Sequence, residues 1–269
     1  MRQHQVFVSI LALFVAQLAA SCGDPSEAPR VELPVVVDAS SMGLTTNDLG
    51  YQIDVTSARI AINNLVFTVA GEVHTASLWQ TISDALVPVA HAHPGHSQGG
   101  EVTGELPGNF VIDWPGDDGN EIGLATLIAS NYSAANFTFG HGTAQALGLD
   151  DPLVGHTAVF TGTASKNGTT WSFTIIVDSP QNRALIGVPF EAAIDADMTG
   201  TLYLRFKTID ELEGDTLFDT IDFAALDADA DGEVLIAPDV AEAEDAYNTF
   251  RRAFQTHDHY SIHFAQESP

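Results

Sequence analysis

The sequence predicts an all-β protein, an antiparallel β-sandwich with one short C-terminal helix. Short apolar or alternating runs recur along the chain between Gly, Asn and Asp residues, which is the pattern of strands joined by turns. The run "TAVFTGTASKNGTTWSFTIIVD" (157–178) has two β-branched segments around Asn167-Gly168, and Asn-Gly supplies the positive φ angles of a two-residue hairpin turn. Helical spacing of apolar residues stands out only near the C-terminus.

The remaining strands are predicted by the same patterns, in order along the chain. "VELPVVVDAS" gives a first strand from Val31, and residues 51–69 give a pair of strands with a break near Ser57 or at Asn63–Asn64. Residues 198–209 alternate apolar and polar side chains, which predicts a strand with one wet face.

The C-terminal helix is predicted from a cap and an apolar face. Asp239 is placed to cap its first turn. Apolar side chains then recur at three- and four-residue spacing on one face: Ala243, Ala246, Tyr247, Phe250, Ala253 and Phe254.

The chain divides into a leader, a tether and one domain. Residues 1–21 are predicted to be a signal peptide, because Arg2 precedes a short apolar stretch that ends in "LAASC". This ending resembles a bacterial lipobox, which makes Cys22 the lipidated N-terminus and residues 22–30 a tether; an ordinary secretory signal with a stray cysteine is the alternative. Residues 31–269 then form a single domain, predicted to be lipid-anchored in a bacterial cell envelope and to face the periplasm or the exterior.

The charge balance excludes some partners and favours others. Nine Lys and Arg residues against 36 Asp and Glu give a formal charge of −27. Such a surface repels phosphate backbones and anionic lipid, so we expect no nucleic-acid partner and membrane contact only through the lipid anchor. It attracts cations. With Cys22 lipidated no thiol remains, so a metal site must use His, Asp, Glu, Met or backbone oxygen.

The stretch "THDHYSIHF" (256–264) is the first candidate for a transition-metal site. As a strand it would place His257, His259 and His263 on one face and the apolar side chains on the other. Neutral imidazole is a common ligand of copper and zinc, and ligand type alone does not separate these two metals here. A solvated edge strand is the alternative interpretation.

The stretch "VAHAHPGHSQGG" (89–100) is the second candidate. It carries His91, His93 and His96, which could join His141 of "FTFGHG" or the C-terminal histidines in one site. A solvated loop is the alternative. His74 and His156 stand alone in the sequence and are expected to be structural or surface residues.

The stretch "DADADGEV" (227–234) is a candidate calcium loop. Carboxylates at positions 1, 3 and 5 and glycine at position 6 match the first half of the pattern, and the backbone carbonyl of Glu233 would be the next ligand. Position 12 is Pro238 rather than a glutamate, so Asp239 or Glu242 would have to complete the shell. An acidic turn is the alternative. The candidate ligands are Asp227, Asp229, Asp231, Glu233 and Asp239.

The ensemble resembles a known family. The chain is similar to the periplasmic copper-binding lipoproteins associated with methanobactin operons. The similarity is carried by the lipobox, by "ARIAINNLVF" early and "GTLYLRF" and "LFDTIDF" late in the chain, and by the clustered histidines. The resemblance implies that this protein is a β-rich metal binder and not an enzyme. The best-known members of that family bind copper beside an oxidised tryptophan.

The sequence thus predicts an extracytoplasmic lipoprotein that binds copper or zinc through histidines, for storage, delivery or sensing, with a periplasmic or outer-membrane partner protein. It holds no Gly-x-Ser-x-Gly, His-Glu-x-x-His, phosphate loop or cysteine nucleophile, so no enzymatic activity is expected. Two alternatives stay open: a calcium-stabilised surface β-sandwich for adhesion or glycan binding, and a zinc hydrolase.

Overall fold

The computed structural model describes residues 29–69 and 101–267, and these residues are mostly strands. The strands are β1 (Arg30–Asp38), β2 (Thr45–Thr46), β3 (Gln52–Val69), β4 (Glu101–Asp113), β5 (Glu121–Ile128), β6 (Ser130–Phe139), β7 (Ala158–Lys166), β8 (Thr169–Val177), β9 (Ala184–Ile194), β10 (Gly200–Phe206), β11 (Glu233–Ile236) and β12 (Tyr260–Gln266). The α-helices are α1 (Ala144–Leu147), α2 (Phe223–Leu226) and α3 (Glu244–Phe254), and short 3-10 turns cover Ala241–Ala243 and His257–His259. The predicted all-β class with a short C-terminal helix is confirmed.

The strands are linked in one curled sheet that is mixed, which corrects the prediction of a strictly antiparallel arrangement. The order is β11-β8-β7-β3-β4-β5-β1-β10-β12, and β2 and the β6–β9 pair branch from β3. Two pairs are parallel, β1 with β10 and β11 with β8. Parallel neighbours need long crossover connections, and the chain between β8 and β11 provides one.

β3 is a single strand of 18 residues rather than the predicted pair. The expected breaks are β-bulges: its register shifts between Val55 and Ser57 against β7, and between Asn63 and Leu65 against β4, where Asn64 has φ 51°. Bulges bend a strand without ending it. As a result, the first part of β3 pairs with β7 and the last part with β6, while β4 runs along the opposite side.

The β7–β8 hairpin is confirmed with its turn. Lys166 pairs with Thr169, and the two residues between them have φ 53° at Asn167 and φ 83° at Gly168. Two successive positive φ angles suit the twist of the flanking strands.

Strands β1 and β10 were both predicted from the sequence, and each differs from its prediction at one residue. Arg30, assigned to the tether, already pairs with Ile128 as the first residue of β1. On β10 the alternate side chains of Leu202, Leu204 and Phe206 are fully buried, as predicted, whereas Lys207 just beyond the strand is also buried.

Helix α3 lies over the aromatic core but starts later than predicted. Its N-cap is Ala243, because a 3-10 turn separates Asp239 from the first helical turn, so Asp239 does not cap the helix. Phe250 and Phe254 are fully buried, and their rings lie 5.0 and 5.8 Å from the ring of Phe160 on β7. No helix in the part of the chain that the structure describes is long and apolar enough to cross a membrane.

Candidate cation site and the histidines

The candidate calcium loop connects α2 to β11. Carboxylate oxygens of Asp227, Asp229 and Asp231 all lie within 4.8 Å of one another. Within residues 29–69 and 101–267, no other group of three or more His, Cys, Asp or Glu side chains brings its ligand atoms this close. The structure therefore brings together the first three of the predicted calcium ligands.

The loop is shaped by its own backbone and by β8. Ala230 and Gly232 have positive φ angles, 58° and 83°, which turn the chain back toward β8. The backbone N–H of Gly232 donates to Asp227 Oδ1 at 3.3 Å, and that of Glu233 donates to Asp231 Oδ1 at 2.8 Å. The indole N–H of Trp171, on β8, donates to Asp227 Oδ2 at 3.0 Å.

Helix α2 fixes the start of the loop. Asp222 caps the helix by accepting a hydrogen bond from the backbone N–H of Ala225 at 3.2 Å. The hydroxyl of Tyr51 also donates to Asp222, and this bond lowers the pKa of the Asp222 carboxyl from its ordinary value. Asp222 thus holds the first turn of α2, and Asp227 closes the helix at its other end, where its backbone N–H donates to the carbonyl of Phe223.

An open groove of about 510 Å³ lies beside the loop. It runs along the outer face of β8 and β11, and its polar lining consists of Ser172, Thr174, Asp229, Asp231 and Glu233. Asp229 and Asp231 therefore border a solvent-accessible space that a hydrated cation can enter.

The predicted closing ligand is not part of the acidic group. Neither Asp239 nor the carboxylate of Glu233 belongs to the three-residue cluster. β11 runs along β8 for four residues before the chain reaches Asp239. A strand of four residues spans about 13 Å, so it leads the chain away from the loop. The backbone carbonyl of Glu233 remains adjacent to the cluster in sequence.

The C-terminal histidines do not form the predicted row. His257 and His259 lie in a 3-10 turn and β12 begins only at Tyr260, so the predicted strand through 257–264 is wrong in its first part. The inward alternation of Tyr260 and Ile262 is confirmed.

Each of these three histidines has its own surroundings. His259 is buried, its Nδ1 donates to the backbone carbonyl of Lys207 at 3.0 Å, and burial lowers its pKa. The ring of His263 stacks on Tyr203 at 4.9 Å, and partial burial lowers its pKa too. His257 lies beside Asp258, with 3.3 Å between its Nε2 and the carboxylate.

Two other histidines bond to the consecutive residues Asp178 and Ser179 at one end of the β7–β8 hairpin. His141 Nε2 donates to the backbone carbonyl of Ser179 at 2.9 Å, and His156 Nδ1 lies 2.7 Å from Asp178 Oδ1. His156 was predicted to be an isolated structural or surface residue. Continuing the hairpin register beyond Ala158 and Val177 would have placed it opposite residues 178–179.

Several predicted functional residues lie outside the described residues. These are the lipidation site and the histidines of the 89–100 stretch: Cys22, His91, His93 and His96.

Comparisons with protein-family models, curated proteins and solved structures give no match for this chain. The resemblance to copper-binding lipoproteins therefore stays a prediction. Function must therefore be inferred from the chemistry of the site itself.

Proposed function

We propose that this protein is a calcium-binding β-protein of the cell envelope, with its ion held by Asp227, Asp229 and Asp231. The observation that carries the proposal is the mutual approach of their carboxylate oxygens to within 4.8 Å. Oxygens that each lie about 2.4 Å from one Ca²⁺ ion are at most about 4.8 Å apart. The spacing therefore suits a shared ion, which would also relieve the repulsion among the three negative charges.

Calcium suits the site better than a transition metal does. The three side chains offer only hard oxygen ligands, and Ca²⁺ accepts six to eight oxygens in flexible geometry. The backbone carbonyl of Glu233 and water would supply the rest. A loop without a glutamate at position 12 favours the weak affinities of extracellular modules, with dissociation constants of about 10⁻⁴–10⁻³ M.

The bound ion would have a structural role. It would fasten the end of α2 to the start of β11, and the bond from Trp171 to Asp227 would extend that connection to β8. β11 is the end strand of the sheet path, so the ion would hold the sheet margin beside the open groove. We propose that the protein is anchored at the cell surface through Cys22 and uses this margin of the sheet for adhesion or glycan binding.

The proposal is tested by thermal unfolding of wild type and Asp229→Ala in excess Ca²⁺ and in EDTA. At a hundredfold excess over the dissociation constant, a bound ion stabilises the fold by about 2.7 kcal/mol. That corresponds to roughly 5–10 °C in a domain of this size. Asp229→Ala should lose this response, and the control Asp197→Ala, at an exposed turn elsewhere, should keep it. Identical wild-type melting curves in both solutions would leave only an acidic turn.

Transition-metal binding for storage, delivery or sensing, with an envelope partner protein, is the second candidate. It is favoured by the hydrogen bonds of His141, His156 and His259, each of which gives one ring N–H to an oxygen that only accepts. Metal-binding histidines are oriented in this way. Elemental analysis of protein purified without a histidine tag tests the second candidate, because stoichiometric copper or zinc supports it. A calcium site as weak as the one proposed loses its ion during purification, so the first candidate is tested by the melting curves in Ca²⁺ and EDTA.

A further inference from the structure

We infer that His156 and His141 form a site for a divalent transition metal, Cu²⁺ before Zn²⁺, at the end of the β7–β8 hairpin. The inference is independent of the calcium proposal, and it rests on the transition-metal candidate, to which it gives a defined place. The residues involved come from three separate chain segments: one follows β6, one precedes β7 and one follows β8.

The hairpin places His156 against Asp178. The last pair of the ladder is Ala158 with Val177, and the N–H of Thr157 donates to the carbonyl of Val177 at 2.9 Å. His156 lies two residues outward from Ala158, and its imidazole is 2.7 Å from the carboxylate of Asp178, the residue that follows Val177.

Backbone hydrogen bonds bring His141 to the same place. The N–H of Gly142 donates to the carbonyl of His156 at 2.9 Å, and the N–H of Gly155 donates to the carbonyl of Gly142 at 2.9 Å. A Cβ on Gly142 would lie 2.4 Å from the carbonyl oxygen of Leu153, so glycine is required for this approach. The two imidazoles consequently bond to the consecutive residues Asp178 and Ser179.

The two residues that hold the imidazoles are themselves fixed. Ser179 is buried, its N–H donates to Thr157 Oγ1 at 2.9 Å, and its hydroxyl accepts from Gln255 Nε2 at 2.6 Å. The N–H of Asp178 donates to the hydroxyl of Tyr247 on α3 at 3.2 Å. Because the supports come from the core and from α3, the imidazoles lose little conformational freedom when they bind an ion.

The hydrogen bonds leave one lone pair on each ring. A carboxylate and a carbonyl only accept, so His156 carries its proton on Nδ1 and His141 carries its proton on Nε2. Nε2 of His156 and Nδ1 of His141 are then available as ligands. A carboxylate behind a histidine raises its basicity as a metal ligand. The side chain of His156 is 33% exposed, so an ion and its water ligands can reach it.

The pair selects among metals by its chemistry. Two imidazole nitrogens suit Cu²⁺, Ni²⁺ and Zn²⁺, and the Irving–Williams order places Cu²⁺ first. Water would complete the coordination. The site differs from the aspartate loop, whose ligands are all oxygen, so the two sites take different ions.

The test is a Cu²⁺ titration by calorimetry, with electron paramagnetic resonance to count nitrogen ligands. The full chain is used with His91, His93 and His96 changed to Ala, and with Ca²⁺ in excess to occupy the aspartate loop. The parent should bind one Cu²⁺ with nitrogen coupling, and His156→Ala or His141→Ala should lose that signal. Asp178→Asn, which keeps both ligands, should weaken binding by about 10- to 100-fold. The control His263→Ala, whose ring is stacked on Tyr203, should bind like the parent.

The contrary results are distinct. Unchanged Cu²⁺ binding in His156→Ala, with circular dichroism like that of the parent, overturns the site. Unchanged affinity in the near-isosteric Asp178→Asn overturns the role of its carboxylate even if the alanine variants misfold. Copper binding by wild type that only His93→Ala abolishes would keep the transition-metal candidate and reject this location. None of these three results bears on the EDTA response of the aspartate loop.

Discussion

Changing Trp171 to Phe tests whether the calcium loop is supported from the neighbouring strand. The indole of Trp171 is buried, and its N–H donates to Asp227 Oδ2 at 3.0 Å. Its ring meets Tyr51 edge-on at 5.7 Å. Phenylalanine keeps an aromatic ring in this position and removes the donor, so the substitution isolates the hydrogen bond from most of the packing.

The expected loss follows from the kind of bond. A hydrogen bond to a charged acceptor contributes about 1.5–3 kcal/mol. We expect the free energy of unfolding without calcium to fall by about 2 kcal/mol, which lowers the melting temperature by roughly 4–8 °C in a domain of this size. A residue that orients a metal ligand also affects affinity, so calcium binding should weaken by about tenfold or more.

Two measurements check this prediction. Urea unfolding in EDTA gives the stability loss, and calorimetric titration with Ca²⁺ gives the affinity. Trp114→Phe is the matched control: Trp114 is fully buried beside Phe206, far along the chain from the loop, so it should change stability but not calcium affinity. If Trp171→Phe binds calcium as tightly as wild type, the claim that Trp171 on β8 supports the calcium loop is refuted.

Three further predictions concern the core, the pH response and the anchor. Phe160→Ala should reduce the free energy of unfolding by about 3–5 kcal/mol in urea titrations, because Phe160 is fully buried under α3, whereas the partly buried Phe264→Ala should cost clearly less. Burial lowers the pKa of His259, so below about pH 6.5 the unfolded chain binds more protons than the folded one. The free energy of unfolding should therefore fall as the pH drops, by at most about 1.4 kcal/mol per pH unit for this group. His259→Gln should flatten that dependence between pH 7.5 and 5.5, and an unaltered slope would contradict it. Cys22→Ser should move the protein from washed membranes to the soluble fraction with an unchanged melting temperature, and retention in the membranes would remove the lipid anchor.

Local chemistry made some elements predictable from the sequence. The β7–β8 turn is signalled locally by Asn167 and Gly168, so the hairpin and its two-residue turn were predicted. The break signals in residues 51–69 were also real, but a local pattern does not tell a bulge from a strand end. That difference is decided by whether partner strands continue alongside, and β4, β6 and β7 do.

Tertiary partners decided what the sequence did not predict. The parallel pairing of β1 with β10 joins residues such as Val35 and Leu202, which no local signal connects. The same applies to His259, whose acceptor is the carbonyl of Lys207 on another segment. The aspartates of the calcium loop, in contrast, are close in sequence, and their convergence was predicted from spacing alone.

The pairing of β1 with β10, and of β10 with β12, has a consequence for how the chain folds. β1 is the first described strand and gains its second neighbour only when residues 200–206 are available. β10 gains its own second neighbour from β12, the last described strand. The loop-closure entropy of these contacts must be overcome before they stabilise anything, so folding on the millisecond-to-second scale is expected. Until β12 docks, β10 presents an unpaired edge to other chains. The C-terminal strand therefore acts as the closing step, and a nascent or truncated chain without it stays open to aggregation.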